Sequence, residues 1–317
     1  MITVVGSINM DVVTVVDKYP LYGETKIGKS VEMLPGGKGA NQAATCGKLG
    51  ASVALIGCVG NDQAGDLLVQ SLKENNVSDA LLARTDEAST GTVIVTIDET
   101  AENTMIVIKG ANERLTKTHI DACEERIKAS SVLLVQMEVP HDVVLYAMET
   151  AKKHGVYIIL DPAPAEGLTL DMVKHADLIT PNRQETRHLT GIDVTDEATA
   201  NEAAKRFEQA GVKSSIIKMA EQGSVLYTEG KAFRIEGIRV NAVSTVGAGD
   251  SFAGALAAAL DDGATLLEAA RFATAVSALK VTRLGAQKGL PTRSELEAFC
   301  RERGIPLDVR KNEGGVS

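Results

Sequence analysis

Ser244-Thr-Val-Gly-Ala-Gly-Asp-Ser-Phe252 runs directly into Ala253-Gly-Ala-Leu-Ala-Ala-Ala-Leu260. Two glycines one residue apart let the backbone turn tightly enough for several N–H groups to converge, and the alanine-rich run after them is strong helix sequence. Such a turn is an anion site, because the first N–H groups of a helix lack internal partners and carry the positive end of its dipole. Asp250 is the odd residue in that cradle. It reads either as an N-terminal cap or as a general base for a hydroxyl attacking a phosphoryl group held beside it. A carboxylate in a phosphate cradle adds repulsion, and the second role supplies a reason for it.

Outward from this stretch, short apolar runs alternate with amphipathic segments almost throughout. That is the pattern of an α/β fold: a three-layer open sheet, mostly parallel, with helices on both faces. Buried strands are expected at 3–6, 53–58, 132–136, 156–160, 178–180 and 215–218. Helices are expected at 39–48, 64–74, 119–128, 142–154, 197–210, 250–261, 266–282 and 293–303. Two stretches break the rhythm. Residues 11–35 alternate β-branched residues around Pro20 and Gly23, and Thr92-Val-Ile-Val-Thr-Ile97 pairs with Thr104-Met-Ile-Val-Ile108 as a hairpin. Segments 11–35 and 91–109 have no helix to cover them. They are expected to form a small β-sheet lid inserted in a single domain, 1–305, or an edge that pairs with another subunit, or both. The tail 306–317 reads as frayed.

Composition bounds the ligand. The chain has 317 residues, 44% apolar and 24% charged, enough to bury a large core. A net charge of -9 without a Lys/Arg cluster, 3% aromatic residues and no Trp argue against nucleic acid and for a small substrate. Cys46, Cys58, Cys123 and Cys300 lack CxxC spacing, so free thiols in a reducing compartment are expected. No stretch reads as a signal peptide or a membrane span, which makes the cytoplasm the expected location.

Gly23-Glu-Thr-Lys-Ile-Gly-Lys-Ser30 matches the P-loop pattern letter for letter, and Tyr157-Ile-Ile-Leu-Asp161 resembles the strand that accompanies it. Context rejects the match. A P-loop needs a buried strand before it and a helix after it, whereas Pro20 precedes this stretch and Pro35-Gly36-Gly37 stops any helix that follows. No glycine cluster has the GxGxxG spacing of a dinucleotide site either. The second cluster, Pro35-Gly-Gly-Lys-Gly-Ala-Asn-Gln-Ala43, again enters a helix; Lys38 and Asn41 there suit a neutral polyhydroxyl ligand or simply an exposed helix start. Asn9 and Asp11 follow the first strand and point the same way, either to bracket adjacent hydroxyls or to make a turn. Glu138 ends another apolar run as a binding group or a solvated carboxylate. Asn182 and Glu185 end a third, where they could hold magnesium through waters or serve as first-turn charge. The five histidines show no metal spacing.

Gly36-Gly37-Lys-Gly-Ala-Asn41 and Thr245-Val-Gly-Ala-Gly-Asp250 together resemble the two signatures of the ribokinase-like (PfkB) carbohydrate kinases. The opening Gly6-Ser-Ile-Asn9-Met-Asp11 and Thr282-Arg-Leu-Gly-Ala-Gln287 are similar to that family's ribokinase branch, and the match runs in order over 1–305. The resemblance implies ATP-dependent phosphorylation of the terminal, 5-hydroxyl of ribose, with deoxyribose, another pentose or a nucleoside as alternative substrates and a non-catalytic nucleotide or sugar sensor as a remote alternative. Asp250 would be the base and the N–H groups of Gly247, Ala248 and Gly249 the anion hole. Asn9, Met10, Asp11, Gly37, Lys38, Gly39, Ala40, Asn41 and Glu138 would meet the sugar. Asn182, Glu185, Lys218, Met219, Ala220, Glu221, Gln222, Gly223, Gly249 and Thr274 would meet ATP, with Glu185 tied to Mg²⁺ through water. The lid would also make a homodimer. Two residues depart from the family pattern. Ser244 stands where Asp is usual, in a potassium site expected around Val246, Lys280, Arg283, Gly285 and Gly289, and a neutral Ser weakens that expectation. Ala220 replaces a glycine, which matters if the position needs a positive φ.

Overall fold

The computed structural model describes residues 1–100 and 103–307, so most of the tail expected to fray lies outside the described residues. Its strands are β1 (Ile2–Val5), β2 (Asn9–Val15), β3 (Ser30–Gly36), β4 (Val53–Gly60), β5 (Val77–Ser78), β6 (Leu82–Thr85) and β7 (Gly91–Ile97). The remainder are β8 (Asn103–Ile108), β9 (Val132–Val135), β10 (Tyr157–Leu160), β11 (Leu178–Ile179), β12 (Ser214–Lys218), β13 (Ser224–Thr228) and β14 (Lys231–Ile235). One sheet runs β14-β13-β12-β11-β10-β9-β1-β4-β5, with β6 on the second half of β4, and it is parallel from β12 to β6. The second sheet, β3-β2-β7-β8, stands apart.

Short apolar runs became central strands because both faces of the large sheet are covered. In β9, Val132 and Leu134 point into one apolar layer while Leu133 and Val135 point into the other, the period-2 alternation of a strand. The first layer is closed by the helices Lys38–Lys48, Gln63–Glu74, Ala248–Asp261, Leu266–Val281 and Arg293–Arg303. The second is closed by the helices between Lys117 and Gln209. The expected three-layer, mostly parallel α/β fold with a small extra sheet is what forms.

Within the first layer, the helices Lys38–Lys48 and Ala248–Asp261 touch backbone to side chain. A Cβ on Gly254 would lie 2.5 Å from the Gln42 carbonyl and 2.7 Å from Thr45 Cβ, so only glycine permits this approach. The thiol of Cys46 donates to the Gly254 carbonyl at 3.2 Å across the same contact.

Three elements depart from expectation. The helix expected at 119–128 is two, Lys117–Ala122 and Glu124–Lys128, because Cys123 leaves helical geometry at φ -108, ψ 5. The helix Arg183–Thr190 buries only Thr186 and Leu189 and therefore carries little apolar period to read. The antiparallel hairpin β13–β14 turns at Glu229 and Gly230, whose φ values of 51 and 73 fit a two-residue hairpin turn. Between β12 and β13, Ala220 also has a positive φ of 53, so this position does want glycine. Left-handed backbone costs an L-residue roughly 1–2 kcal/mol. Ala220→Gly is therefore expected to raise the unfolding free energy by roughly 0.5–1 kcal/mol after the added flexibility of the unfolded chain is subtracted, and with it the urea midpoint. A lowered midpoint would contradict the strain.

Candidate active site

The large sheet changes winding direction at β1, which lies between β4 and β9. The crevice outside the carboxyl ends of the strands at such a switch point is where open α/β sheets bind ligands. Ser7 follows β1, Glu138 follows β9, Asp161 ends β10 and Lys218 ends β12, so four chemically active side chains gather there.

Asp250 reaches this crevice from the opposite side, as the third residue of the helix Ala248–Asp261. It is not a cap. Gly247 is the N-cap, at φ 75, and the helix start carries no side-chain cap bond. Instead Asn41 Nδ2 donates to Asp250 Oδ2 at 2.9 Å and Gln42 Nε2 to Oδ1 at 3.5 Å, with Asp250 only 7% exposed. Both partners sit in the first turns of the helix that Gly254 lets approach. The network continues: Gln42 Nε2 also donates to Asp161 Oδ2 at 2.9 Å, Gln136 Nε2 to Gln42 Oε1 at 2.6 Å, and Gln287 Nε2 to Asn41 Oδ1 at 3.1 Å. The Lys38 ammonium is held well above its ordinary pKa, chiefly by Asp250, then by Glu138, Asp161 and Glu185.

One pocket wall is built for hydroxyls. Glu138 Oε2 accepts from Ser7 Oγ at 2.5 Å and from the Lys38 N–H at 3.2 Å. Burial, with Glu138 and Asp250 adding repulsion, pushes the Asp11 carboxyl up to about 7. Buried Asn112 donates to Asn9 Oδ1 at 2.7 Å and brackets the Ile8 peptide, which fixes the Asn9 amide. Gly36 and Gly37 are required here: a Cβ would lie 2.3 Å from Asp11 Oδ2 in the first case and 2.7 Å from the Asn9 N in the second, where φ is also 87. Gly39 packs against Gly6 in the same way. The side chains of Met10 and Ala40, also expected near the sugar, are buried in the first apolar layer.

The other wall is a cleft of about 960 Å³ that Lys38 and Asp250 share. Asn182, Glu185, Lys218, Ala220, Glu221, Gly223 and Thr274 line it together with Gly247, Ala248 and Gly249. Met219 and Gln222 do not. Met219 is buried in the second apolar layer, and Gln222 is exposed at the end of the single 3₁₀ turn Ala220–Gln222. Lys218 Nζ meets Asp161 Oδ1 at 3.1 Å. Asn182 and Glu185 cap their helix reciprocally, Glu185 Oε2 accepting the Asn182 N–H at 2.7 Å, and burial raises the Glu185 carboxyl. The three N–H groups expected to form an anion hole differ in their partners. The Ala248 N–H already donates to the Thr245 carbonyl at 3.1 Å, whereas the described residues give the Gly247 and Gly249 N–H groups no partner.

Gly23–Ser30 forms no P-loop: β3 begins at Ser30 where a helix would be needed, and Lys29 pairs with Asp17. Of the residues expected to hold potassium, Ser244 and Val246 offer their carbonyls to the Lys280 ammonium. Arg283 pairs with Glu295 at 3.0 Å, and the Gly285 carbonyl accepts the Gly289 N–H at 3.2 Å. Gln42, Asp161, Asn112, Gln136 and Ser7 were not among the expected site residues. Asp161 was visible only as the end of a strand suspected of accompanying a P-loop. Nothing local marks Asn112 or Gln136, since their role comes from partners about a hundred residues away.

The model of the pfkB family of carbohydrate kinases matches residues 1–293. The ribokinase of Haemophilus influenzae is 37% identical over 298 residues, covering 94% of this chain and 97% of that protein. The ribokinase of Bacillus subtilis is 38% identical over 297 residues, covering 93% and 98%. The structure of Arabidopsis thaliana ribokinase complexed with ribose and ATP superposes with a TM-score of 0.90 at 30% identity, covering 94% of this chain and 97% of that one. With the strand-end crevice, the glycine turn and the paired helices already in place, this chain belongs to the pfkB family of carbohydrate kinases and is a kinase acting on a sugar hydroxyl.

Proposed function

We propose that this protein transfers the γ-phosphoryl group of ATP to the 5-hydroxyl of D-ribose, giving ribose 5-phosphate. One observation carries the reading: Asp250 is oriented by Asn41 and Gln42 at the junction of a hydroxyl-binding wall and a cleft large enough for a nucleotide. Likeness to a ribokinase seen with ribose and ATP supports the choice of both substrates.

In this reading Asp11, Asn9, Glu138 and Lys38 fix the ring hydroxyls, with Lys38 offsetting the carboxylates around it. Asp250 accepts the proton of the terminal hydroxyl as its oxygen attacks phosphorus. The Gly247 and Gly249 N–H groups receive the charge building on the transferred group, and Lys218 faces the same cleft. The donor set fits a hydrated Mg²⁺. Glu185 and Asp161 present carboxylates to the cleft, while no group of three or more His, Cys, Asp and Glu among the described residues converges to strip an ion of its waters. When bound there with ATP, the ion would screen phosphate charge.

The second sheet is read as the lid, and also as the interface of a homodimer. Register places Met33, Val12, Ile94 and Ile106 side by side across its four strands. Met33 and Ile106 are 57% and 56% exposed, an apolar row that a second copy would cover. No helix among the described residues is long and apolar enough to cross a membrane.

Asp250→Asn should lower kcat by about 10²- to 10⁴-fold, whereas Lys29→Ala should match the parent in a coupled ADP-release assay over a panel of pentoses. The reverse outcome would restore the P-loop reading, and turnover of deoxyribose over ribose would change the substrate. Asp11 must be ionised to accept from two hydroxyls. With its pKa pushed up to about 7, KM for ribose should rise as pH falls through that value, and the dependence should vanish in Asp11→Asn. The raised value also means that ionising Asp11 weakens the fold. Asp11→Asn should therefore unfold at higher urea than the parent above neutral pH. Ile106→Lys should convert a dimer to a monomer in sedimentation velocity; an unchanged sedimentation coefficient would rule out this interface.

A further inference from the structure

We infer that the side chain of Lys280 replaces a bound monovalent cation beneath the anion turn, so that this kinase works without potassium. Lys280 lies on the helix Leu266–Val281 and is fully buried. Its ammonium donates to the Val246 carbonyl and, at 3.4 Å, to the Ser244 carbonyl. These are two of the groups among which a potassium ion is expected in this family, and potassium is held by just such carbonyl dipoles. The position is thus already filled by a positive charge attached to the chain.

The rest of the expected set does not favour a second cation. Ser244 contributes no carboxylate, and among the described residues no Asp or Glu lies within ion-pair distance of Lys280. Arg283 is turned to Glu295. An added ion would sit against the lysine ammonium with no carboxylate in ion-pair contact to compensate. Burial lowers the pKa of Lys280, and the nearby Asp250 charge opposes that shift.

The tie has a mechanical consequence. Residues 241–246 are mostly exposed and are joined to the helix Leu266–Val281 by the Val243 and Ser244 N–H groups, both donating to the Val281 carbonyl at 2.7 and 3.0 Å. Lys280 adds the last anchor before Gly247, whose N–H belongs to the anion hole. Lys280 does not line the cleft, so it is a positioning residue.

The inference rests on the family's fold and on the anion turn, not on which pentose is used. Wild type and Lys280→Ala would be compared in buffers where potassium replaces tetramethylammonium at constant ionic strength. Two readouts serve: initial rate with a pentose and ATP, and the thermal midpoint without either substrate. For wild type, neither should change with potassium. Lys280→Ala should lose roughly tenfold or more in kcat with little change in the sugar KM, and potassium should restore kcat and raise the midpoint saturably. Lys280→Met, which keeps the length without the charge, covers the case in which the alanine variant does not fold. Activation or thermal stabilisation of wild type by potassium would overturn the inference, as would a folded Lys280→Ala indifferent to it. If wild type phosphorylated no pentose, the proposed function would fail while the thermal readout would still decide the role of Lys280.

Discussion

Everything at the site depends on how closely two helices approach. Gly254 admits the backbone of the helix Lys38–Lys48 to within a distance that any side chain would forbid. That approach puts Asn41 and Gln42 on the Asp250 carboxylate. One unbroken polar chain then runs from Lys218 through Asp161, Gln42 and Asp250 to Asn41 and Gln287, crossing from one wall of the site to the other. Buried polar groups must be satisfied, and a network in which each member fixes the next leaves few alternative rotamers. The Asp250 carboxylate is thereby oriented by the chain's own side chains.

The same crevice concentrates charge. Asp11, Glu138, Asp250, Asp161 and Glu185 face two lysines, Lys38 and Lys218, and burial, with repulsion from Glu138 and Asp250 added, pushes the Asp11 carboxyl up to about 7. A site of this kind is costly to the empty protein and useful to the filled one, since hydroxyl donors offset the carboxylates. Strain is stored nearby as well: Ala220, at the rim of the cleft, holds a backbone conformation that suits glycine.

The two sheets divide the labour. The large one is buried on both faces and supplies rigid strand ends, while the small one carries Asn9, Asp11 and Gly36 at its base and exposed apolar residues farther along. Because β2 continues almost directly from β1, the Asn9 and Asp11 side chains ride on the element that would move if the small sheet moved.

The residues of this chain determined the layered fold by themselves, since apolar runs of strand length alternating with amphipathic helices have one economical packing. They also determined the glycine turn before Asp250, because glycine takes a positive φ without steric cost, as at Gly37 and Gly247. A P-loop match could be discarded for the same local reason, the prolines and glycines around it. Only the tertiary structure decided that Asp250 is a hydrogen-bonded acid and not a cap, that Gln287 orients the Asn41 side chain that meets it, that Asn112 fixes Asn9, and that Met219 faces the core. It alone showed the Lys280 ammonium on the carbonyls of residues 244 and 246. Such facts depend on contacts between segments tens to hundreds of residues apart, and local pattern carries no record of which partner a polar side chain will find.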